Sequence, residues 1–157
     1  MELSPQLSAR FETLQNRYPV KRSALIPMLM YSQDEYGFIS DELIDEIARR
    51  LDLRTVQVEE TLQYYSMLHR KPMGKHHVQI CTNVACMLRG GNELLGQAKK
   101  RLEIGHKEVT QDGVFSLEEV ECIGACSWAP AVQVNYDFHE NLTGERMDAV
   151  LDGYRKN

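Results

Sequence analysis

The stretch His76-His77-Val78-Gln79-Ile80-Cys81-Thr82-Asn83-Val84-Ala85-Cys86-Met87-Leu88-Arg89-Gly90-Gly91 decides the fold. Its first five residues read as a strand and its cysteine-bearing middle as a loop, after which Leu94, Leu95, Ala98 and Leu102 recur at helical spacing from Glu93 to Leu102. Further strands are expected at Lys107-Glu108-Val109, from Val114 to Val120 and from Ala131 to Tyr136. Thr143 is placed to cap a terminal helix carrying Met147, Val150 and Leu151. Strands flanked by two helices give a compact α/β domain over residues 73–157, about the size of a thioredoxin fold.

Working back from that stretch, Lys71-Pro72-Met73-Gly74-Lys75 breaks the text, and residues 1–72 before it read as consecutive short helices. Ser4 and Pro5 form an N-cap and first helical position, with Leu7, Phe11 and Leu14 along one face up to Tyr18-Pro19. A second helix is expected from near Ser23 to Gly37, carrying Leu25, Met28, Leu29 and Tyr36, with Pro27 near enough to its start to be tolerated. Ser40 caps a third, whose first turn holds Asp41 and Glu42 and whose apolar stripe is Leu43, Ile44, Ile47, Ala48 and Leu51. A fourth is expected from a Thr55 cap through Val58, Leu62, Tyr65 and Leu68. The fold class is therefore α+β, a helical bundle followed by an α/β domain. Met28, Met30, Met67 and Met73 read as side chains for filling space rather than as ligands, and Tyr64 and Tyr65 as core or interface residues.

All four cysteines fall in two close pairs, Cys81 with Cys86 and Cys122 with Cys126. Two short loops that each supply two sulfurs can converge on one point, and four thiolates are what a 2Fe-2S cluster requires. Structural zinc usually takes its sulfurs from turns with two residues between the cysteines. Here the intervening residues number four and three, and the wider arcs suit a bulkier core. The C-x4-C spacing also resembles the opening of the plant-type ferredoxin motif, although the later spacing does not follow it. No Cys-x-x-Cys dithiol is present. Zinc and two structural disulfides stay open as alternatives. The opening Met1-Glu2-Leu3-Ser4-Pro5-Gln6 lacks the basic and apolar regions of a secretory signal, so a reducing cytoplasmic setting is expected, where disulfides are rare.

Composition narrows the function classes. The chain has 157 residues, is 43% hydrophobic and 26% charged, and contains no apolar run long enough to cross a bilayer, so any membrane association is expected to come through partners. A net charge of −5, with basic residues clustered only at Arg70-Lys71 and Lys99-Lys100-Arg101, argues against nucleic acid as a ligand. No hydrolytic constellation and no phosphate-cradling glycine loop is found, so no catalytic residue is assigned and no NADH or FMN site is expected in this chain.

The run Cys81-Thr-Asn-Val-Ala-Cys86-Met-Leu-Arg-Gly-Gly91, then Glu121-Cys122-Ile-Gly-Ala-Cys126 and Ala129-Pro130, resembles the NuoE family, the thioredoxin-like 2Fe-2S subunit of bacterial complex I, the NADH-quinone oxidoreductase. Tyr65-Ser66-Met67 and Arg70-Lys71-Pro72-Met73-Gly74-Lys75 fit that family too, so the resemblance spans both regions. It implies that Cys81, Cys86, Cys122 and Cys126 ligate one 2Fe-2S cluster. It further implies that FMN and NADH sit on a NuoF-like flavoprotein partner with which the cluster exchanges single electrons. The location it implies is peripheral, at the inner face of the cell membrane. The equivalent component of a NAD-linked formate dehydrogenase or hydrogenase shares the motif, and a zinc-bound adaptor is the alternative from another class.

Smaller expectations concern the surroundings of the cysteines. Ala85, Gly90, Gly91, Gly124 and Ala125 are small enough to let main-chain N–H groups approach sulfur, and the helix starting near Gly91 would aim its positive end there. Strand alternation sends His76 and His77 to opposite faces, one exposed and one packed. Trp128 departs from the small residue expected after the last cysteine and is placed to shield the site or meet a partner. Residues 1 to about 70 are expected to dock the chain onto its flavoprotein partner.

Overall fold

The computed structural model describes residues 3–156. Met1, Glu2 and Asn157, which fall within the expected domain spans, lie outside the described residues. The chain divides into two compact units, one ending at Pro72 and the next beginning at Met73.

The first unit is helical. α1 (Pro5–Arg17) starts where the Ser4 hydroxyl accepts from Leu7 N–H at 3.1 Å. A 3-10 turn at Lys21–Ala24 leads into α2 (Leu25–Tyr36), which stops at Gly37 in the left-handed region, φ 80°. The Ser40 hydroxyl accepts from Leu43 N–H at 3.3 Å and starts α3 (Asp41–Leu51). α4 spans Thr55–Tyr64. Leu7, Phe11, Met28, Leu29, Ile39, Leu43, Ile47, Val58 and Leu62 form a shared core, each apolar side chain of Leu or Ile size contributing roughly 1.5–3 kcal/mol by leaving water.

Two expectations for this unit are corrected. Thr55 is the first helical residue and not the cap, because Arg54 takes the cap position with extended backbone and its N–H donates to Gln57 Oε1 at 3.0 Å. The fourth helix also ends sooner. Tyr65 has left helical geometry, and Tyr64, Tyr65 and Met67 are exposed, while Leu68 still packs against the core from the following segment.

The second unit is built on a five-stranded mixed sheet of order β2-β3-β1-β4-β5. Its strands are β1 (His76–Cys81), β2 (Glu108–Val109), β3 (Phe115–Val120), β4 (Val132–Val134) and β5 (Asp137–His139). β1 and β3 run parallel, and the other pairings are antiparallel. Between β1 and β2 lie α5 (Val84–Leu88) and α6 (Gly91–Leu102), and α7 (Gly144–Arg155) follows β5 from a Thr143 cap that accepts from Arg146 N–H at 3.3 Å. The apolar stripes of α6 (Leu94, Leu95, Ala98) and α7 (Met147, Leu151) cover Val78, Ile80, Phe115, Leu117, Val132 and Val134 on one face.

Three features depart from the sequence expectations here. The first cysteine loop contains a short helix, α5, started by Asn83, whose Oδ1 accepts from Val84 N–H at 2.7 Å. The run Ala131 to Tyr136 is not one strand, because Asn135 adopts φ 54° and turns the chain into β5. The histidines do occupy opposite faces, yet neither is exposed, at 7% for His76 and 8% for His77. His76 is covered by the Phe115 and Tyr154 rings, with centroids 5.7 and 5.0 Å away. His77 is held by partners on β3.

Candidate metal centre

Parallel pairing is what brings distant cysteines together. Two parallel strands release the chain at the same end, and the β1–β3 register sets Cys81 beside Val120, two residues before Cys122. Both cysteine loops therefore leave the same end of the sheet. Cys81 closes β1, with its N–H donating to Ala131 O at 3.3 Å and its thiol directed at Glu121 O at 3.7 Å. Thr82 N–H donates to Val120 O at 3.0 Å and extends the pairing one residue past the strand. Cys86 lies in α5.

The second pair has a lighter frame. Gly124 N–H donates to Cys122 Sγ at 3.3 Å, and a 3-10 turn at Cys126–Trp128 is closed by Trp128 N–H to Ala125 O at 3.1 Å. Ala129–Pro130 is a cis peptide. None of the four cysteines is joined in a disulfide; Cys81 and Cys86 are buried, while Cys122 and Cys126 are exposed. Ala125, Ala129 and Ala131 pack on Cys81 and Cys86, with Ala85, Val120 and Ile123 at the margin.

Burial pushes the Cys86 thiol up to about 11, helped by Cys81 beside it and Cys126 nearby, against a main-chain hydrogen bond from Ala131. Members of both pairs thus share one neighbourhood, and a metal held by Cys86 at neutral pH would have to displace its proton. Among the described residues no three His, Cys, Asp or Glu side chains form a cage for a single ion. The donor set fits a 2Fe-2S cluster: four free thiols in two pairs, walls of small apolar side chains, and a main-chain N–H directed at sulfur.

The small residues play more varied parts than the sequence suggests. Gly124 does offer its N–H to sulfur. Gly91 is different, since its Cα faces the carbonyl oxygens of Cys81 and Cys86 rather than their thiols. Trp128 is 54% exposed, on the same turn as Cys126.

Sequence reading missed a buried polar group on the sheet face opposite α6 and α7. His77 Nδ1 lies 2.9 Å from Ser116 Oγ, His77 Nε2 3.1 Å from Glu118 Oε2, and Gln79 Nε2 donates to the same carboxylate oxygen at 3.1 Å. Burial opposes the Glu118 charge, but the bonds from His77 and Gln79, with Lys107 beyond them, outweigh it and lower the carboxyl to about 2. An ionised carboxylate only accepts, so His77 Nε2 carries the proton that it donates to Glu118. The signal was alternation: Ser116 and Glu118 interleave with Phe115 and Leu117 in β3.

Comparison with known proteins is consistent with this geometry. The thioredoxin-like 2Fe-2S ferredoxin family matches residues 11–155. One of the NADH-quinone oxidoreductase E subunits of Rhizobium meliloti is 43% identical over 139 residues, covering 88% of this chain and 83% of that protein. The corresponding E subunit of Rickettsia bellii is 40% identical over 147 residues, covering 92% and 88%. Among solved structures, a NAD+-reducing NiFe-hydrogenase superposes with a TM-score of 0.74 over 85% of this chain at 17% identity, a likeness of fold alone. This chain spans 22% of that hydrogenase chain.

Proposed function

Because this chain belongs to the thioredoxin-like 2Fe-2S ferredoxin family, among the E subunits of NADH-quinone oxidoreductase, we propose that Cys81, Cys86, Cys122 and Cys126 hold its one cluster. The protein is an electron-transfer subunit of an oxidoreductase complex. A 2Fe-2S cluster bound at these cysteines supplies one-electron redox chemistry. The chain's own residues provide the rest. β1 and β3 present the two loops, the alanines exclude water from Cys81 and Cys86, and Gly124 N–H steadies the Cys122 sulfur.

The partner in this reading is a NuoF-like flavoprotein carrying FMN and NADH, with which single electrons are exchanged across the exposed side of the site. The helical unit serves as its docking platform, with Tyr64, Tyr65 and Met67 as the exposed aromatic and thioether surface. Among the described residues no helix is long and apolar enough to cross a membrane. Association with the inner face of the cell membrane is accordingly proposed to come through the complex.

The observation that carries the assignment is the parallel β1–β3 pair, which delivers both cysteine loops to one end of the sheet. Iron and acid-labile sulfide in the anaerobically purified chain, with EPR before and after dithionite, test it. About two irons and two sulfides, EPR-silent when oxidised and spin-half when reduced, are expected. Zinc without sulfide would overturn it. Substituting Tyr64 and Met67 by Ser should weaken capture of the flavoprotein, and unchanged capture would remove the docking role.

A further inference from the structure

Gly91 opens α6 and is buried, although nothing about the start of a helix requires a residue without a side chain. A Cβ built there would stand 2.8 Å from Cys81 O, 2.9 Å from Cys86 O and 3.0 Å from Cys86 C. All three atoms are main chain, and they belong to both members of the first cysteine pair. We propose that Gly91 is a positioning residue whose missing side chain sets how closely Cys81 and Cys86 approach each other. This inference rests on the assignment of those cysteines as ligands.

The neighbours of Gly91 show which part would yield to a side chain. Cys81 is fixed between β3 and β4 by the Ala131 bond, with Thr82 paired to Val120 immediately after it. α6 is fixed through Leu94, Leu95, Ala98 and Leu102 in the core. α5 is a five-residue helix with Val84, Met87 and Leu88 exposed, and its local ties include Arg89 N–H to Cys86 O at 3.1 Å and Gly90 N–H to Met87 O at 3.2 Å. A methyl group at Gly91 therefore drives α5 outward and carries Cys86 with it. Two nearby glycines mark the contrast. A Cβ at Gly90 would meet only Glu93 Oε2, at 3.7 Å, and one at Gly96 within the same helix would meet nothing within 4 Å.

The test compares Gly91→Ala with Gly96→Ala in the full chain. Cysteine alkylation in the metal-free protein is followed by mass spectrometry, and the loaded protein is examined for release of iron to a chelator and for the g-values of its reduced EPR signal. Gly91→Ala should keep its cooperative unfolding, label Cys86 faster than wild type with Cys81 unchanged, lose iron about tenfold faster and shift the g-values. Gly96→Ala should match wild type throughout. Equal acceleration at Cys81 and Cys86, wild-type labelling and spectrum, or collapse of the second unit would each overturn the positioning role. Absence of iron and sulfide from the wild-type chain would instead overturn the cluster assignment, while the labelling contrast would still report on Gly91.

Discussion

Cys81 and Cys86 stand at 2% and 1% exposure, in a strand end and a short helix backed by alanines, whereas Cys122 and Cys126 lie exposed in a turn with one N–H on sulfur. Their sequence spacings are nearly alike, with four and three residues between partners. Spacing thus says how far apart two thiols can reach, and tertiary contact says whether they can move. The first pair is enclosed and the second open, an asymmetry that would let the proposed cluster be shielded on one side and face a redox partner on the other.

The sharpest way to break this contrast is to exchange ligands. Cys86→Ser should abolish most of the iron content, because it leaves a harder, weaker ligand enclosed among small apolar side chains where no other donor can replace it. Cys126→Ser, on an exposed turn, should retain more iron with an altered visible spectrum. Equal iron loss in both variants would end the distinction.

Removing support beneath the first pair comes next. Ile80 is fully buried in β1, directly before Cys81, and Ile80→Ala should cost about 2–5 kcal/mol in urea unfolding of the second unit. A cost below about 1 kcal/mol would show that β1 is not what holds Cys81.

Acid should loosen the same strand from its other end. Burial, with Lys75 close by, lowers the pKa of His76 against an opposing main-chain interaction at Tyr154. The unfolded chain binds this proton more readily, so the contribution is present above pH 6.5 and is lost as pH falls below it, at no more than about 1.4 kcal/mol per pH unit for one proton. His76→Phe should flatten that part of the stability profile, and an unchanged slope would exclude His76 as its source.

Trp128→Ala should have the smallest effect on the chain itself, within about 0.5 kcal/mol of stability, since the side chain is more than half exposed. Its effect should appear as slower electron exchange with the proposed flavoprotein partner. A large stability loss would mean that the turn carrying the second pair is more tightly built into the fold than its exposure indicates.

Much of the helical structure in both units was legible because caps and stripes are local. Ser4, Ser40 and Thr143 bond to N–H groups three residues ahead, and Leu43, Ile44, Ile47, Ala48 and Leu51 share a face by helical geometry alone. The misses arose where local signals were weak or overruled. β5 depends on Asn135 taking a left-handed conformation that Asn tolerates but does not announce. α5 is too short for a periodic pattern. The burial of both histidines follows from rings and strands distant in sequence, Tyr154 for one and Ser116 with Glu118 for the other.

By itself the sequence determined that the four thiols fall in two close pairs and that helices precede strands, because cysteine spacing and apolar period are properties of short segments. Only the tertiary structure decided that β1 pairs in parallel with β3, that one cysteine pair is enclosed and the other open, and that Gly91 lies against both Cys81 and Cys86. The reason is physical: strand pairing, burial and close main-chain approach are relations between segments that the chain separates, and they exist only once those segments have met.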